Sequence, residues 1–89
     1  MKAIVTVVGK DQVGIIASVC IKLAEYNVNV LDISQTVMQG YFTMMMVVDV
    51  SGCTVALSQL CTEMEETGKA RGLSIRVQRE DIFEAMHRI

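Results

Sequence analysis

The sequence predicts an α+β fold: a ferredoxin-like βαββαβ sandwich with antiparallel sheet order 4-1-3-2 and a short C-terminal helix. Three observations carry that expectation. The first is a change of hydrophobic period along the chain, from strand-like runs to i, i+3, i+4, i+7 spacing and back, repeated in each half. The second is a hairpin signal, Gln39-Gly40, between two long strand-like runs. The third is topological: right-handed crossovers place both helices on one side of a four-stranded sheet.

Each element follows from its residues. Lys2 to Val8 is apolar on both faces, as a central strand is. A helix is expected from about Gln12 to Tyr26, with Ile16, Val19, Cys20 and Leu23 on one face and Asp11 as its N-cap. Asn27 and Asn29 break that pattern, and Val28 to Met38 reads as a long second strand. The third strand runs from Tyr41 to Val50 and ends at Ser51-Gly52. Thr54 to about Lys69 is the second helix, with Leu57, Leu60, Cys61 and Met64 inward and Glu63, Glu65 and Glu66 toward solvent. Gly68 and Gly72 supply its stop. Leu73, Ile75 and Val77 then alternate with Ser74, Arg76 and Gln78 in a half-buried last strand. Residues 1–80 form one domain and residues 81–89 a helical tail whose Ile82, Phe83, Met86 and Ile89 share a face.

In this order the second strand is an edge. It carries Leu31, Ile33, Val37 and Met38 with one charge, Asp32, and such an edge invites pairing with another chain. A homodimer or higher homo-oligomer is expected. On the third strand Phe42, Met44, Met46 and Val48 face one way, while Met45 and Val47 make the other face partly apolar. The tail is the nearest segment to cover that second face.

Composition narrows the function. At 89 residues the chain is one small domain, able to bury only about 60–65% of its unfolded surface. It is 52% hydrophobic and 20% charged, with mean hydropathy +0.42, which suits an apolar surface set against a partner. A net charge of −2 and a pI near 5.2 argue against nucleic acid or anionic membrane as the main partner. The longest apolar run, Met44 to Val48, is far short of a membrane span. Gly9-Lys10-Asp11 comes too early for a signal peptide, so a cytoplasmic location is expected. Cys20, Cys53 and Cys61 form no C-x-x-C pair, which suggests neither disulfides nor zinc. Cys20 and Cys61 are expected in the core, and Cys53, beside Gly52, as the accessible thiol.

The stretch Gly9 to Ile16 carries the chemistry. Two glycines bracket a turn that feeds a helix, so the backbone can bend tightly and offer N–H groups to an anion. The spacing of Gly9 and Gly14 matches a P-loop, but Ile15 and Ile16 stand where Lys and Ser/Thr are needed. A metallochaperone would place C-x-x-C here, a phosphatase on this fold an arginine, and an RNA-binding module aromatics on the first strand. None is present. His87, three residues after Glu84, has no second His or nearby Cys, so a metal is not expected. With one His and no nucleophile–base pair, an enzyme is not expected either.

The run Val8-Gly9-Lys10-Asp11-Gln12-Val13-Gly14-Ile15-Ile16, followed by a helix and then Asn27-Val28-Asn29-Val30, resembles the ACT domain. The resemblance spans residues 2–79 and is strongest to small stand-alone ACT proteins and to the ACT modules of the glycine-cleavage regulator and formyltetrahydrofolate deformylase. It implies an amino acid or similar small ligand held between two copies, with metabolism regulated through a separate protein target. It implies no cofactor. Transferred by position, the ligand loop falls on Gly9, Lys10, Asp11, Gln12, Val13, Gly14 and Ile15, and the second-strand contact on Asn29. Loop N–H groups can hold a carboxylate, while Asp11 and the Asn29 carbonyl accept from an ammonium. Val13 stands where many amino-acid-binding members carry proline.

The same residue types serve structural ends. Asp11 can simply cap the helix, Asn29 can form a turn, and Gly14 can let helix and strand pack closely. A protein that uses the fold only to oligomerise, with no ligand, is the alternative reading.

Overall fold

The computed structural model describes residues 1–10 and 12–81. The order of elements is β1 (Lys2–Lys10), α1 (Ile15–Glu25), β2 (Asn29–Met38), β3 (Tyr41–Asp49), α2 (Leu57–Lys69) and β4 (Ser74–Arg79). The strands form one antiparallel sheet in the order β2-β3-β1-β4, which is the expected 4-1-3-2 read from the other edge. β1 is central, as its run of apolar residues on both faces requires, and β2 and β4 are the edges.

The core lies between the sheet and the helices. Ala3, Val5 and Val7 of β1 stand opposite Val48, Met46 and Met44 of β3, all fully buried. Val19 and Leu23 of α1 and Leu60 and Met64 of α2 close over them with no residual exposure. These are the i, i+4 pairs of each helix, which lie one above the other on a single face. Ile75 and Val77 complete the sheet's inner face. On the outer face Met45 remains exposed and Val47 half-buried, while Ile4 is buried outside the principal core cluster. The helical tail expected at 81–89 lies, from Ile82 onward, outside the described residues, as does His87.

Three local expectations are corrected. α1 starts at Ile15 rather than near Gln12, and its N-cap is Gly14, with no side-chain cap. Gly14 sits at φ 84, ψ 10, a left-handed conformation that no right-handed helix can contain. Gly68 does not stop α2 but lies buried inside it. An added Cβ there would meet the Leu73 carbonyl oxygen at 2.7 Å and Ile75 Cγ1 at 2.8 Å. Gly68 therefore sets the close approach of helix and strand, and the left-handed Gly72, at φ 71, turns the chain. Cys53 is not the freer thiol. All three cysteines are half-buried and pack against the core. Cys61 donates to the Val77 carbonyl at 3.2 Å, and burial pushes its thiol above the usual range.

Candidate functional site

β1 extends two residues past its expected end, so Gly9 and Lys10 are strand residues paired with Phe42 and Tyr41. Gly9 has a packing reason to lack a side chain: a Cβ there would lie 2.5 Å from Leu73 Cδ2. Beyond Lys10 the chain turns through Gln12, Val13 and Gly14 before α1 begins. Val13 stands out at the tip, 96% exposed, whereas Ile15 is buried at 2%. Asp11 lies outside the described residues.

The turn is held by a residue the sequence reading missed. Arg71, in the connection from α2 to β4, donates through Nη2 to the Val13 carbonyl at 2.8 Å. Its Nη1 donates to the Gly14 carbonyl at 3.3 Å and to Ser18 Oγ at 2.7 Å. Its Nε reaches Gln12 Oε1 at 3.2 Å, and Gln12 Nε2 answers by donating to the Arg71 carbonyl at 3.0 Å. Nothing local in the sequence signals this link, because the partners are 53 to 59 residues apart. Among the described residues no carboxylate pairs with Arg71.

Asn29 is elsewhere. It opens β2 opposite Asp49, which in turn stands opposite Lys2, whereas Gly9 stands opposite Phe42 near the far end of the sheet. Seven residues of strand separate the two positions, roughly 23 Å at about 3.3 Å per residue. One copy of the chain thus does not bring Asn29 to the loop. Around Asn29 the local charge is Asp49. Hydrogen bonds from the Ser51 hydroxyl and N–H, chiefly, hold its carboxyl below the usual range, and the N-terminal ammonium lies 3.7 Å away. Asn27, just upstream, adopts φ 59 and donates through Nδ2 to the Gly52 carbonyl at 2.9 Å, tying the end of α1 to the β3–α2 loop.

β2 is bare along its length. Only Val30 is half-buried, and every residue from Leu31 to Met38 is exposed. Its register places Ile33 opposite Met46 and Val37 opposite Phe42, so both share the sheet face that carries the core. They remain 40% and 53% exposed there. Among the described residues nothing pairs with this edge, so it offers backbone groups and an apolar shelf together. Among the described residues no group of three His, Cys, Asp or Glu side chains is placed to hold a metal, and no helix is long and apolar enough to cross a membrane.

Comparison with known proteins agrees with this geometry. The family model of the ACT domain matches residues 2–78. A UPF0237 protein of Clostridium acetobutylicum is 55% identical over 89 residues, covering the whole of both chains. The structure of an ACT domain protein from Streptococcus pneumoniae superimposes with a TM-score of 0.82 at 49% identity, over 98% of each chain. A formyltetrahydrofolate deformylase from Pseudomonas syringae shares the fold, with a TM-score of 0.79 at 20% identity. That match covers 88% of this chain and 27% of the deformylase. The chain belongs to the ACT domain family.

Proposed function

We propose that this chain is a non-catalytic, ligand-sensing regulatory module of the cytoplasm. It binds an amino acid or similar small metabolite between two copies and modulates a separate protein. ACT domains commonly dimerise and bind small ligands. The observation that carries the reading here is the separation of Asn29 from the Gly9–Ile15 loop, together with the open β2 edge between them. Pairing two β2 edges antiparallel about a two-fold axis sets the start of one β2 beside the end of the other. The partner's Asn29 then approaches the loop that follows β1. The ligand's carboxylate goes to the loop N–H groups, and its ammonium to Asp11 and the partner's Asn29. Val13, Ile33 and Val37 are covered in the same step.

The test is titration calorimetry against the twenty amino acids, on protein whose dimeric mass is established by sedimentation. Binding is expected, and is lost in both Asp11→Ala and Asn29→Ala. Mixing the two inactive variants should then restore about a quarter of the wild-type sites, because half of the re-formed dimers pair one intact loop with one intact Asn29. Failure of the mixture to bind would show that the two residues do not share a site.

A second reading, a ligand-free oligomerisation module, is favoured by one pair of observations. Gly9 is accounted for by Leu73, and the carbonyls of the turn by Arg71. A folded dimer that binds none of the amino acids would select it.

A further inference from the structure

Among the described residues Arg71 is the one long side chain that reaches the turn from another part of the chain through several hydrogen bonds, and its geometry has a directional effect. A trans peptide unit holds its C=O and N–H pointing opposite ways. Where the Val13 carbonyl is drawn onto Arg71 Nη2, the Gly14 N–H is aimed away from the guanidinium. Where the Gly14 carbonyl is drawn onto Nη1, the Ile15 N–H is aimed likewise. These are successive amides at the start of α1, among the donors the proposed site offers to a carboxylate. Gly14 has no Cβ, and Arg71 Nη2 and Nη1 lie 3.8 and 4.0 Å from where one would be, so the guanidinium sits against the turn. A planar fork with fixed donor directions can hold two neighbouring carbonyls at once, which a lysine ammonium does less well.

We propose that Arg71 is a positioning residue: by gripping the carbonyls of Val13 and Gly14 it sets the direction of the loop amides that meet the ligand. The proposal deepens the ligand-sensing reading and rests on it for its functional consequence. Its mechanical part stands on the free protein. Gln12 is the second half of the grip, since it both accepts from Arg71 and donates to its carbonyl. Ser18 is the reporter, since its amide donates at 2.9 Å to the same Gly14 carbonyl that Arg71 holds.

Amide hydrogen exchange on the full chain tests the mechanical part without any ligand. In Arg71→Met the Ser18 amide is expected to exchange at least about tenfold faster, while β3 amides such as those of Met44 and Met46 stay within about twofold of wild type. Arg71→Lys should fall between. Gln12→Ala, at an exposed position, should show a smaller change in the same amides and keeps the test valid if Arg71→Met does not fold. Unchanged Ser18 exchange in these variants, or equal acceleration throughout the sheet, would overturn the proposal. Repeating the twenty-amino-acid titration on Arg71→Met adds the functional arm. With a wild type that binds, about a tenfold weaker affinity supports the role and an unchanged affinity overturns it. A wild type that binds none of them removes the ligand reading, and the grip is then judged by exchange alone.

Discussion

Leu73 sits between two glycines that look unrelated in sequence. Gly9 leaves room for its side chain, and Gly68 leaves room for its carbonyl. The two clashes differ in kind. A Cβ at residue 9 presses on the far end of a leucine side chain, which can rotate away. A Cβ at residue 68 presses on backbone, which moves only if α2 and β4 separate. Both Gly9→Ala and Gly68→Ala are expected to lose stability, in the range of about 1–3 kcal/mol for overpacking. Gly68→Ala should be the worse, although alanine is favoured over glycine in a helix by about 1 kcal/mol. Urea denaturation of both variants checks the order, and a Gly68→Ala protein as stable as wild type would contradict the packing argument. At this scale the sequence was legible where chemistry is local. Leu23, Leu60 and Met64 read as core from spacing alone and are core. Arg71 was not legible, since its role depends on a contact made only after the chain has closed.

The elements themselves were largely readable, because each rests on a hydrophobic period. The start of α1 was misread for a physical reason. Asp11 has the chemistry of an N-cap, but the helix begins where the backbone leaves the left-handed region, and that is fixed by Gly14. The turn between β1 and α1 was legible as a segment, while its shape and its distance from Asn29 needed the register of the whole sheet. β2 is the element whose sequence and structure agree most usefully. Its apolar residues from Leu31 onward are exposed, and among the described residues no strand pairs with the edge they lie on. Substituting Ile33→Lys and Val37→Lys together places two charges on that edge without replacing a buried residue. The expected outcome is a folded monomer, with sedimentation at micromolar concentration showing half the wild-type mass and circular dichroism unchanged. A variant that keeps its dimeric mass would show that association uses another surface.

The described residues measure 35 × 34 × 20 Å, a thin slab with helices on one side of its sheet. A domain of this size has little core to spare. Burying β2 against a second copy would add apolar contact where the monomer lacks it, so association and stability should be coupled. The melting temperature is therefore expected to rise by about 5 °C or more over a hundredfold increase in protein concentration. A melting temperature independent of concentration, in a chain that sedimentation shows to be dimeric at both limits, would place the stability in the protomer alone.

β2 is not a regular strand. Its register against β3 slips between Val30 and Asp32, leaving Leu31 as an extra residue. A bulge of this kind bends the strand and sharpens its twist. A straight, bare, apolar edge is a template on which copies can stack without limit, as in a fibril. A bent one fits a neighbour only where the two bends match, and a two-fold pair would meet that condition once and use up both β2 edges, leaving β4 outermost on each side. If two copies pair through β2, Leu31 restricts the match: each bulge must meet its counterpart before the sheet can grow from four strands to eight.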